Sequence, residues 1–147
     1  MDQYSVPIAE ERTGITKIFQ IKIRKKSEKP GRTLTVVWDA RRPLIKGIVN
    51  RYSYLVKFEK RGSLAGNHYH KRKQELFFAV NGDFLITLED IETKKKEQIS
   101  LRAKDDKMIF IPSRIAHVVV STTKNAILLV TATSAGTEAD EFTYKFK

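Results

Sequence analysis

The chain reads as a succession of short apolar runs cut by turn residues. Residues 15–24 (ITKIFQIKIR) alternate apolar and basic positions, the period-two pattern of a half-buried strand. A polar loop follows over 25–32, punctuated by Pro30-Gly31. Residues 33–38 and 48–58 read as two further strands, and a loop over 59–66 leads into the short extended piece 68–70. The apolar runs 76–80 and 84–88 flank Asn81-Gly82-Asp83, which predicts a hairpin turn. More strands are predicted at 98–101, 108–111, 116–121, 126–132 and 141–146, and nothing resembles a helix beyond a turn near 137–140. Many short strands at this spacing predict an all-β antiparallel sandwich or barrel. With no internal repeat and no linker, the 147 residues read as one domain with a basic N-terminal strand or arm over about 1–30. Such an arm can pair with the sheet edge of a second chain, so a homodimer is expected.

Charge narrows the partners. Against 28 Lys and Arg stand 17 Asp and Glu, a net charge of +11 that favours a nucleotide-sugar or another anionic small molecule. Nucleic acid is not expected, because the sequence holds neither a glycine-rich aromatic motif nor a helix-turn-helix pattern. The basic run Thr93 to Glu97 lies between two strand signals and reads as a solvated hairpin tip. The absence of cysteine excludes disulfides, a thiolate nucleophile and Cys-ligated metal. No window of about 18 apolar residues predicts a membrane span. The opening MDQYSVPIAEERTG carries acids and no apolar stretch, so a cytoplasmic location is expected.

The chemistry concentrates in 61–82, RGSLAGNHYHKRKQELFFAVNG. His68 and His70 are two apart, so a strand puts both imidazoles on one face. Glu75 opens the next strand and can return to the same point across the turn 71–74. Another strand begins after Pro112-Ser113-Arg114 and supplies His117, the last of the chain's three histidines. Three imidazoles and a carboxylate suit one divalent transition metal, zinc first, with iron, manganese or nickel as alternatives. The bland reading is a strand-edge pair plus a core histidine, and a metal-free acid–base pocket also remains open. A nitrogen that ligates a metal has no lone pair left to take a proton, so ligand and base roles conflict at His68 and His70. Tyr69 sits between the pair and points away from their face, which leaves Tyr54 as the preferred phenol. Arg51, Arg61 and Arg114 are candidate contacts for a diphosphate, and Asn67 beside the pair is a further substrate-binding candidate.

These residues resemble the cupin superfamily. Its first motif, G-x5-H-x-H-x4-E-x6-G, is matched by Gly62, His68, His70, Glu75 and Gly82. Its second is matched by Pro112 and His117, with Asp106, Arg114 and Ser121 where Gly, Gly and Asn are usual. The resemblance implies a small antiparallel β-barrel, or jelly roll, with His68, His70, Glu75 and His117 as the metal ligands. The stretches GRTLTVV, VNRYSY, HYHK and TEADEF are similar to the short sugar 3,4-ketoisomerases, which interconvert dTDP-4-keto-6-deoxyhexoses. The string GNHYH with Lys73, Glu75 and Phe77 resembles the zinc-binding cupin domain of capsular sugar-nucleotide epimerase/reductases. Ketoisomerases carry Gln at the Glu75 position and bind no metal, and rhamnose-type 3,5-epimerases carry Lys there. The implied activity is isomerisation or epimerisation of a nucleotide-activated 4-keto sugar, by proton abstraction next to the carbonyl. A metal-dependent cupin of oxygenase type and a non-catalytic sugar- or anion-binding cupin are the alternatives.

Overall fold

Alternation along the strands builds the molecule, described by a computed structural model over residues 9–21, 23–25, 31–136 and 138–147. The strands are β1 (Ala9–Arg12), β2 (Lys17–Gln20), β3 (Ile23–Lys25), β4 (Thr33–Thr35), β5 (Tyr52–Phe58), β6 (Leu64–Tyr69) and β7 (Glu75–Asn81). They continue as β8 (Asp83–Asp90), β9 (Lys96–Arg102), β10 (Lys107–Ile111), β11 (Ile115–Ser121), β12 (Ala126–Ala132) and β13 (Phe142–Thr143). One sheet runs β1-β2-β10-β7-β12-β5, the second β13-β6-β11-β8-β9, and β3 pairs with β4 in a small ribbon. All pairings are antiparallel, as the period-two pattern predicts.

The two larger sheets enclose one core. Phe77 and Ala79 of β7, Leu128 and Val130 of β12, Ile109 and Ile111 of β10, and Phe84, Ile86 and Leu88 of β8 all point inward. Each of the larger of these buried side chains, Ala79 apart, stabilises the fold by about 1.5–3 kcal/mol. The intervening residues Leu76, Phe78 and Met108 face outward, where Val36, Val37, Trp38, Leu44 and Ile45 cover them. Leu55 and Val80 remain exposed on this outer face. Among the described residues no helix is long and apolar enough to cross a membrane.

Several predicted elements are redrawn. The strand expected over 15–24 is two strands, and β2 lies between β1 and β10 of its own sheet. Both edges of β2 are thus paired within the chain; residues 1–8, 22 and 26–30 of the expected arm lie outside the described residues. The exposed β1, which was not expected, supplies the sheet edge instead. Residues 36–38 are not strand; they cover the outer face. The strand expected from residue 48 begins at Tyr52, and the C-terminal one shortens to Phe142–Thr143. The turn expected near 137–140 is a 3-10 turn over Glu138–Asp140, with residue 137 outside the described residues.

The clearest correction concerns Asn81-Gly82-Asp83. Strand β7 pairs with β10 and β12, and β8 with β9 and β11, so this turn passes the chain from one sheet to the other. Gly82 has φ 76°, and a Cβ there would sit 2.5 Å from Thr123 Oγ1, which accepts the Asp83 N–H. The local turn chemistry holds; the pairing across it does not. The hairpin expected around the lysines 94–96 does form, between β8 and β9.

Candidate functional site

Strand β6 reaches the site through a bulge. His117 of β11 pairs with His68, and Val118 with Gly66, so Asn67 is the extra residue, at φ 63°. Gly66 has φ 109°, and a Cβ there would lie 2.5 Å from the His117 carbonyl oxygen. Only glycine permits this approach of the two backbones. The bulge leaves Tyr69 stacked outside on Phe142, ring centroids 5.2 Å apart, while the flanking histidines turn inward. Their rings are 4.8 Å apart, and those of His68 and His117 4.7 Å. Ligand-capable nitrogens of all three histidines lie within 4.8 Å of one another.

Glu75, at the start of β7, completes the cluster from the opposite sheet. Its Oε1 is 3.6 Å from His70 Nε2 and 3.5 Å from His117 Nε2. Its Oε2 accepts a hydrogen bond from the Tyr54 hydroxyl at 3.1 Å and lies 3.5 Å from Lys73 Nζ. His70 donates from Nδ1 to the Asp140 carbonyl at 2.8 Å, and His117 from Nδ1 to the Ile115 carbonyl at 3.2 Å. Both Nε2 atoms therefore face the carboxylate, and His70 Nε2 and Glu75 Oε1 are buried with no hydrogen-bond partner among the described residues. Two imidazole lone pairs aimed at one anionic oxygen call for a positive charge among them, either a proton or a metal ion. The donor set and its burial fit a divalent transition ion.

The electrostatics follow from this packing. Burial would raise the Glu75 pKa, but His70, His117 and the Lys73 ammonium outweigh it and hold the carboxyl ionised, at about 2. Burial pushes the fully enclosed His117 down to about 4, so its ring is neutral at pH 7. Burial also works against a charge on His70, yet the Glu75 carboxylate and the Asp140 carbonyl prevail and raise its pKa. His68 is lowered by burial and by the neighbouring His70. It is the most accessible of the three, and its Nδ1 lies 3.4 Å from Glu141 Oε1. Burial and the adjacent Glu75 raise the Tyr54 phenol far above its usual range.

The structure thus brings together His68, His70, Glu75, His117 and Tyr54. Arg51 is exposed at the same end, its N–H donating to the Ala132 carbonyl at 2.8 Å, and Ala132 is the register partner of Glu75. Arg61 is a correction. It precedes β6 by a turn whose Gly62 bonds Ser121 at the far end of β11, about 13 Å along the strand from the His117–His68 pair. Arg114 is also corrected: its N–H donates to the His70 carbonyl, but the guanidinium turns outward, 3.9 Å from Glu92. Asn67 contributes its bulged backbone, whose carbonyl accepts the Tyr144 N–H at 2.8 Å. Sequence reasoning did not single out Lys73, Asp140 and Glu141 as site residues. Lys73 and the two acids of TEADEF had no signal in the sequence beyond family likeness. Between Tyr54, His68, Glu75 and His117 lies a cavity of about 60 Å³. That is room for an ion or a few waters, so a larger ligand would have to sit above it, on the His68 side.

The sequence matches the family described as FdtA: WxcM-like, C-terminal, over residues 16–145. A search of curated proteins gives no match. Among solved structures, the chain is similar to a dTDP-6-deoxy-D-glucose-3,5-epimerase from Legionella pneumophila Philadelphia 1 in complex with dTDP-4-keto-L-rhamnose. The TM-score is 0.77 at 20% identity, covering 92% of this chain and 76% of that one. It is similar also to a TDP-fucose-3,4-ketoisomerase from Campylobacter jejuni, with TM-score 0.72 and 22% identity, covering 86% of this chain and 87% of the other. A mutant 3,4-ketoisomerase from Thermoanaerobacterium thermosaccharolyticum in complex with TDP-4-keto-6-deoxyglucose gives 0.70 at 16% identity, covering 89% and 88%. At these identities the likeness is one of fold, and it agrees with the antiparallel barrel expected from the strand pattern.

Proposed function

The chain belongs to the WxcM-like, C-terminal family, and from that premise we propose that it isomerises or epimerises a nucleotide-activated 4-keto sugar. The carrying observation is His68, the least buried of the three histidines and held below its usual pKa by burial, beside Glu141 and above the buried group His70, Glu75 and His117. With Nδ1 engaged by the carboxylate, the other ring nitrogen of His68 is the one free to take the proton next to the carbonyl. The Glu141 carboxylate then stabilises the imidazolium that forms. While no metal occupies its Nε2, His70 holds a proton more readily than an ordinary histidine and is the group suited to return one. The Tyr54 hydroxyl is engaged with Glu75, so its part in the site is to hold that carboxylate.

We propose further that the site takes one divalent transition metal. Of the four expected ligands, His70, His117 and Glu75 are the buried donors that would hold it. Three buried donors suffice for a catalytic ion, which leaves His68 available as the base. When bound, the ion would supply Lewis-acid stabilisation to the negative charge that develops on the sugar. Arg51, at the histidine end of the barrel, is our candidate for the diphosphate. The homodimer remains part of this reading on different grounds. Leu55, 55% exposed, pairs across the sheet with Leu129, which pairs with Phe78, and Val80 is 48% exposed beside them, an apolar strip suited to a second copy.

The test is solvent exchange. In deuterated buffer with dTDP-4-keto-6-deoxyglucose or its uridine counterpart, the parent should wash deuterium into the carbon next to the keto group. His68→Asn should slow this by about 100-fold or more. No exchange by the parent with any nucleotide-linked 4-keto sugar would refute the activity.

A further inference from the structure

The C-terminal 3-10 turn ends on a residue that grips the histidine loop at two levels. Asp140 Oδ1 accepts the backbone N–H of Lys71 at 2.9 Å, and Oδ2 that of Lys73 at 3.0 Å. Both oxygens share the N–H of Arg72, at 3.2 and 3.3 Å. Successive N–H groups converging on one anion form a nest, a strong and directional anchor. Those bonds outweigh the opposing effect of burial and hold the Asp140 carboxyl below its usual pKa. With its side chain fixed, the backbone carbonyl of Asp140 meets His70 Nδ1 at 2.8 Å.

Two consequences reach the site. A carbonyl can only accept, so His70 must carry its proton on Nδ1, and the neutral ring turns a bare Nε2 toward Glu75. A free imidazole in water favours the opposite tautomer, so the surroundings impose this one. The second consequence concerns Lys73. Its N–H is held by Oδ2, and its side chain, 6% exposed, runs inward to place Nζ 3.5 Å from Glu75 Oε2. Lysine in a polar turn belongs in water; here the turn is folded around a carboxylate and the ammonium is brought inside.

We propose that Asp140 is a positioning residue of the site, its carboxylate clamping the backbone of Lys71 to Lys73 and its carbonyl fixing the tautomer of His70. This deepens the reading above and depends on it only for the effect on turnover; the placement itself is read without substrate or metal. The experiment is long-range proton–nitrogen NMR of the imidazoles in the chelator-treated full chain, recorded where His70 is neutral. Three histidines make assignment by single substitution direct. In the parent, His70 should show a protonated Nδ1 and a bare Nε2. In Asp140→Ala the Nε2-protonated form should become the major species, and Asp140→Asn, which keeps one accepting oxygen, should fall between. Leu101→Val, a core change away from the site, should leave His70 as in the parent. An unchanged His70 tautomer in folded Asp140→Ala overturns the proposal. Should that variant not fold, unchanged His70 nitrogen shifts in Asp140→Asn overturn it equally. A changed tautomer with parental sugar exchange would count against the use of His70 in the proposed reaction and leave the positioning role standing.

Discussion

Replacing Glu75 by glutamine keeps the size of the side chain and removes its charge, at a point where four groups depend on that charge. Glu75 is buried, with Lys73 Nζ and the Tyr54 hydroxyl on one oxygen and the Nε2 atoms of His70 and His117 facing the other. Glutamine still offers an oxygen to Tyr54. It leaves the Lys73 ammonium, itself buried, without an anion, and removing one partner of a buried pair costs about 3–5 kcal/mol. At roughly 2–4 °C per kcal/mol for a chain of this size, metal-free Glu75→Gln should melt about 6–20 °C below the parent at pH 7. Lys73→Met removes the stranded charge, so the double variant Lys73→Met/Glu75→Gln should recover about 2 kcal/mol relative to the sum of the singles. The acid limb gives an independent check. The folded pKa of Glu75 is depressed from 4.5 to about 2, so its contribution is fully present above pH 4.5 and is lost as pH falls toward 2. Glu75→Gln should lack that part of the parent's acid destabilisation. Thermal melts of chelator-treated proteins from acid to neutral pH measure both. An unchanged melting temperature together with additive single and double variants would refute the charge arrangement on which the site reading rests.

Gly66→Ala forces a Cβ to within 2.5 Å of the His117 carbonyl at a φ of 109°, and should cost about 2–3 kcal/mol while shifting the His68 and His117 ring resonances. A parental melt and spectrum would contradict the bulge. Arg114→Gly relieves a left-handed residue at φ 64° whose guanidinium reaches away from the site, and should raise stability by about 0.5–1 kcal/mol in urea titrations. If the net charge of +11 serves an anionic ligand, thymidine or uridine diphosphate at about 100 times its Kd should protect by about 2.7 kcal/mol. That affinity should weaken at high salt, and Arg51→Ala should reduce both the affinity and its salt dependence in calorimetry.

The sequence was readable where side-chain period and chemistry coincide. His68, His70, Glu75 and His117 were found because the i, i+2 spacing and the strand starts are local facts that β-geometry converts directly into direction. The Asn81-Gly82-Asp83 turn was misread because turn residues report backbone conformation and say nothing about which strands pair beyond them. Residues 36–38 were misread because β-branched and aromatic residues suit a covering segment on an apolar face as well as a strand. Lys73 was not singled out because a lysine among cations is ordinarily solvated, and only Asp140, far along the chain, turns it inward. Glu141 was missed for the same reason: its meeting with His68 is a product of the whole barrel closing.

The departures from the second cupin motif leave the sense of the backbone unchanged where they fall. Asp106 and Arg114 stand where glycine is usual, and both keep the left-handed backbone, with φ 51° and 64°. Gly62 and Gly82, the retained glycines of the first motif, have φ 86° and 76°. All four corners share one sign of backbone rotation, whether or not the residue there is glycine. Each non-glycine occupant costs about 0.5–1 kcal/mol net of the entropy glycine loses on folding, a modest share of the about 5–15 kcal/mol by which a fold is stable. A motif keyed to glycine at these corners therefore passes over Asp106 and Arg114, whereas one keyed to the sign of backbone rotation takes in all four.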